Sequence, residues 1–113
     1  MDKLEHQKTI IKSVIDEYHR LNLNASDSTI ESVCVFDDTH KNYLLMIMGW
    51  QGSDRVKSVM IHVRLHQGKF WIEEDWTEDG IATDLLQAGV SNTEIVLAFH
   101  PPHVRQHTEF AVA

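Results

Sequence analysis

The sequence holds a single cysteine, Cys34, so no disulfide can form within the chain. Its fold must rest on packing, and a lone thiol fits a reducing compartment such as the cytoplasm. Long apolar runs are missing as well. None approaches the ~18 residues that a membrane helix needs, and no basic segment followed by an apolar one opens the chain. Neither a membrane span nor a signal peptide is expected. Basic residues are few: ten Lys and Arg face seventeen Asp and Glu, for a net charge of −7. They are scattered singly, whereas phosphate binding needs clustered cations. Stand-alone DNA or RNA binding is therefore disfavoured, and an acidic chain more often meets a basic partner. No Gly-x-Ser-x-Gly and no phosphate-cradling glycine loop is present, which removes two common catalytic classes.

What is present is one domain's worth of sequence, residues 1–113, with ordinary apolar content. Its centre is Tyr43 to Met48, six apolar or aromatic residues in a row between two turn-rich stretches. A run this short with such flanks predicts a central strand buried on both faces. A helix would cover one face. The other would be covered by the tail or by a second copy of the chain.

The remaining elements follow from periodicity. Residues 2–21 predict a helix, with Leu4, Ile11, Val14, Ile15, Tyr18 and Leu21 as its apolar stripe. Asp2 and Glu5 form a capping-box pattern at its start, and Asn22 or Asn24 suits a left-handed end. Residues 30–36 alternate and predict a first strand, on which Cys34 reads as a small buried thiol. Residues 56–65 alternate most clearly: Val59, Ile61, Val63 and Leu65 point one way, Ser58, His62 and Arg64 the other. Gln67-Gly68 predicts a tight hairpin turn into a strand over 69–73. Thr77 suits the N-cap of a short helix over 78–88, with Glu78 and Asp79 in its positive first turn. Ser91 to Glu94 predicts a helical turn leading into an extended segment. Pro101-Pro102 then ends regular structure. The fold class is α+β: an N-terminal helix on a four-stranded antiparallel meander, a short second helix and an extended C-terminal tail. The tail is expected to dock on its own sheet or on a twin subunit, with the twin preferred.

Several constellations bear on chemistry. Eight histidines invite a metal reading, but His62 and His66 on one strand stand about 13 Å apart, too far to share an ion. His100, His103 and His107 lack a nearby Cys or an ordered carboxylate. No metal and no cofactor is expected. Glu73, Glu74, Asp75, Glu78 and Asp79 form an acidic group without calcium-loop spacing. It reads as a solvated face or as a docking patch for a basic partner. Trp50, Trp76 and His107 are candidates for a small-molecule pocket. Arg55, Lys57 and Arg64 are candidates for weak DNA contact by a dimer.

Six stretches together carry a family resemblance: Met1 to Glu5, Tyr43 to Met46, Gly49-Trp50-Gln51-Gly52, Ile61-His62 with Trp71-Ile72, Thr77 to Ala82, and Val104 to Ala113. In these the chain resembles the XisI family, controlling factors of fdxN-element excision in cyanobacteria. The resemblance implies work beside a recombinase and a nuclease-like companion, XisH, and it implies no catalytic residue. On it rests the expectation of a non-enzymatic accessory factor; the expectation of a homodimer rests instead on the central strand's need for a second cover. That factor would dock an XisH-like partner through Glu73, Glu74, Asp75, Glu78 and Asp79 and through Arg105, His107 and Phe110 of the tail. The other expectations are an enzyme or ligand-binding domain with a pocket near Trp50, Trp76 and His107, and the weak DNA-binding dimer.

Overall fold

In the computed structural model, which describes residues 2–24 and 29–113, the chain opens with helix α1, Lys3–Leu23. Asp2 caps it, its Oδ1 accepting from the Glu5 amide at 2.8 Å. The reciprocal half of the capping box is not used, because the Glu5 carboxylate takes Lys8 Nζ instead. Nor is the left-handed end. Asn24 closes the helix at φ −87°, and residues 25–28 of the polar stretch that follows lie outside the described residues.

Gln7, Ile11 and Ile15, four apart, form the buried row of α1. Continuing that row through Tyr18 leads to Asn22, whose amide reaches Met60 Sδ at 3.7 Å. Leu21, in the last turn of the helix, is exposed, not buried as its spacing suggested.

The four expected strands are present: β1 (Ile30–Asp37), β2 (Asn42–Gln51), β3 (Asp54–His66) and β4 (Lys69–Asp75), paired antiparallel in chain order. The Gln67-Gly68 hairpin is tighter than a glycine turn alone, since both residues have positive φ, 53° and 76°. Gly49 lies inside β2 and does not turn the chain; the turn is made at Gly52. Helix α2 spans Ile81–Gln87 and starts later than expected. A 3-10 turn, Asn92–Glu94, then leads into a fifth strand, β5 (Ile95–Leu97). β5 extends the meander by pairing parallel to β4, Phe70 with Ile95 and Ile72 with Leu97. Among the described residues no helix is long and apolar enough to cross a membrane.

The core lies between the sheet and the helices. Tyr43 and Leu45 from β2, Ile61 and Val63 from β3, and Phe70 and Ile72 from β4 are sealed under Ile11 and Ile15 of α1 and Ile81 and Leu85 of α2. Polar contacts also fix α1 on this face, among them His19 Nδ1 with the Ser32 hydroxyl at 2.6 Å. The buried Gln7 amide donates to the Gly68 carbonyl at 2.7 Å. Lys12 and the Tyr43 hydroxyl both donate to the Asp38 carboxylate at 2.8 Å. Tyr18 donates to Asp84 Oδ2 at 2.6 Å, which ties α1 to α2.

The tail is not fully extended, and it docks on its own sheet. It forms one helical turn, α3 (Pro102–Arg105), and then runs beside β5, with Ala111 bridged parallel to Val96. Arg105 is the reason. Its guanidinium donates to the carbonyls of Ala98, His100 and Val112, gathering the segment before α3 and the chain end onto one cation. Lys69 Nζ binds the carbonyl of Ala113.

The tail covers only the β4–β5 end of the outer sheet face, where Val96 is buried and Arg105 lies over the Trp71 ring. Leu44, Met46 and Met48 of β2 therefore stay half-buried on that side. The expectation that β2 is buried on both faces holds for its helix side alone.

Candidate functional site

The acidic stretch begins where β4 loses register. His62 pairs with Glu74 and Val63 with Ile72, so Glu73 is an extra residue in the strand. The bulge aims two consecutive glutamates at the outer face. Glu73 accepts from Arg64 Nε at 3.3 Å, and Arg64 in turn lies over the Trp71 ring. Glu74 accepts from the Trp76 indole at 2.7 Å.

Asp75, one residue on, points to the helix side. Its Oδ1 accepts from the Thr77 amide and hydroxyl, and its Oδ2 from the Ile81 amide at 2.7 Å. Asp75 is thus the anionic cap of α2, in place of the expected Thr77. The residue at the cap position itself is Gly80, with φ 82° and no side chain to offer. Glu78 and Asp79 precede the helix and are exposed.

Trp76 leaves the sheet with its amide on the Met60 carbonyl at 2.9 Å, and its ring is 74% exposed. Facing the same groove is Phe99, 47% exposed, its ring tilted against His100 with centroids 4.5 Å apart. Glu73, Glu74 and Asp75 complete the lining. Two large exposed aromatics beside carboxylates make a surface for a cationic group carried on an apolar stem, through ring-face attraction and charge. Phe99 was not among the residues expected here. It is twenty-odd positions from Trp76, and only the β5 crossover brings the two together.

The tail residues divide. Arg105 and Phe110 fasten the tail, the first through its three carbonyls and the second by packing on the core. His107 alone of the three is exposed. Trp50 and Trp76 line separate grooves, and His107 is exposed on the tail. Trp50 sits at the far end of β2, in an open groove with Thr29, Glu31, Met48 and Arg55. Of the basic residues considered for DNA, Arg55 lies over Trp50 at 5.3 Å and Arg64 is engaged by Glu73 and Trp71. Lys57 is exposed on the outer face.

Burial favours the neutral form of Cys34, Tyr18, Tyr43 and His62. Burial, helped by Asp16, raises the Cys34 thiol above its ordinary range. Burial also pushes the Tyr18 hydroxyl up to about 12, with the hydrogen bond and charge of Asp84 adding to it. The Tyr43 hydroxyl is raised by burial and by Asp38. His62, hydrogen-bonded to Asn42 at 2.8 Å, is lowered mainly by burial. His66 packs edge-on against Trp71. Among the described residues, no three His, Cys, Asp or Glu side chains converge on a point that could hold a metal ion.

Comparison with known proteins agrees with this architecture. The XisI protein family matches residues 1–112. The crystal structure of the fdxN element excision controlling factor XisI from Anabaena variabilis is 38% identical, with a TM-score of 0.85 over 99% of this chain and 100% of that one. A XisI-like protein from the same organism is 30% identical, with a TM-score of 0.89 over 97% and 99%. No curated protein matches the chain.

Proposed function

The chain belongs to the XisI family, and from that membership we propose that it is a non-enzymatic accessory factor in the control of DNA-element excision. It works by docking on a protein partner, an XisH-like nuclease, which it restrains or positions. The observation that carries this reading is the exposed Trp76–Phe99 pair set among Glu73, Glu74 and Asp75. Exposed aromatics at the centre of an anionic surface are what a basic, partly apolar partner segment would bury. Glu78 and Asp79 widen the anionic field that steers such a partner, and His107 offers a further exposed contact on the tail. Asp75, Arg105 and Phe110 support this surface by fixing α2 and the tail.

Co-expression with an XisH-like protein tests the proposal. A complex that survives affinity purification and gel filtration is expected. Two separate species at micromolar concentration would contradict it.

A further inference from the structure

The outer face of β1–β3 is a grid that the strand registers define. One row is Glu31–Met48–Lys57, the next Val33–Met46–Val59, the third Val35–Leu44–His62. Its apolar members stand apart from the buried core cluster, and Val33 and Val35 remain 36% and 41% exposed. An apolar face of this kind marks an interaction surface. Its charges say which kind. Glu31 and Lys57 flank Met48 on opposite sides, and among the described residues neither has an ion pair within the chain.

We propose that a second copy of this chain covers this face, about a two-fold axis parallel to β2. Such an axis lays β1 of one subunit over β3 of the other. Glu31 then meets Lys57 of the second copy, and the pair repeats by symmetry, as a self-complementary interface requires. Met46 meets Met46 at the centre, between the valines of β1 and β3. The other in-plane two-fold, across the strands, sets Glu31 against Val35 and Lys57 against His62, leaving both charges without opposites. The Trp76 groove differs in kind. Its charged lining is all carboxylate, so it cannot satisfy a copy of itself and is left for a basic partner. Self-association and partner docking therefore occupy separate surfaces, and either can fail without the other.

Sedimentation equilibrium of the full chain, from about 1 to about 100 μM to span micromolar affinities, is the test. The wild type is expected to be a dimer at the upper end. Met46→Glu, at a half-buried position and with the circular dichroism compared with wild type as the check on folding, is expected to weaken the dimer at least about tenfold by burying charge at the interface centre. Glu31→Lys and Lys57→Glu alter only exposed side chains. Each is expected to weaken the dimer several-fold, and the two together in one chain to restore it, because the swapped charges again face opposites. A wild type that stays monomeric, a dimer indifferent to Met46→Glu, or a double swap no better than either single one would overturn the proposal.

Discussion

Gly49 shows how one residue can set the joint between two elements. A Cβ built there meets the Thr29 carbonyl oxygen at 2.0 Å and the Ile30 Cα at 2.8 Å, because the start of β1 pairs closely beside Gly49, whose φ is 154°. The same carbonyl accepts from the Trp50 amide at 3.1 Å. Backbone cannot move aside as a flexible side chain can. Gly49→Ala is therefore expected to cost at least about 2 kcal/mol, read as a lower urea midpoint with an unchanged slope. His62 supplies a pH signature. Burial favours its neutral form and holds it below its ordinary 6.5. Its contribution to stability is thus present above pH 6.5 and lost as the pH falls from there through the lower folded value. A histidine NMR titration should place its midpoint below 6.5, and His62→Gln should flatten the acid limb of the stability profile just beneath that pH.

At the scale of elements, α2 depends on a carboxylate outside it. Asp75 belongs to β4, six residues before the Ile81 amide it receives. Removing it orphans the Ile81 and Thr77 amides together. Asp75→Ala is expected to cost about 1–2 kcal/mol, with amide exchange quickening in Ile81–Gln87 before the rest of the chain. Elements with a strong local period were legible in the sequence: α1 through its row of Ile11 and Ile15, β3 through its alternation from Ile61 onward, and the hairpin through Gln67-Gly68. The bulge at Met60 turns Val59 to the outer face, against its expected side. β5 was not, for a physical reason. Ile95 and Val96 are both fully buried although they point to opposite faces, so three residues carry no alternation. Its partner β4 is also more than twenty positions away. Thr77 lost its expected role for a related reason. A cap reaching across a five-residue loop leaves no three-residue spacing to read. In the candidate site, Trp76 and the glutamates could be singled out from composition, whereas Phe99 joins them only through the β5 crossover. Arg105 drew notice as a charged tail residue, but nothing in its neighbours announces three carbonyls converging on it.

At the scale of the molecule, the two sides of the sheet have separate tasks. The inner side is sealed by α1 and α2 and holds the chain together. The outer side and the adjoining groove remain open to other macromolecules: a balanced-charge apolar grid on β1–β3, and an anionic aromatic groove beside β4. The central claim is that action runs through that groove. Calorimetric titration of an XisH-like protein into wild type and into Trp76→Ala tests it most directly. The 74% exposure of Trp76 makes the substitution harmless to the fold. The account predicts a saturable complex with the wild type, weakened about thirtyfold or more by Trp76→Ala, the loss typical of an aromatic at the centre of an interface. Equal affinity for the two proteins, or no heat of binding with either, would contradict it.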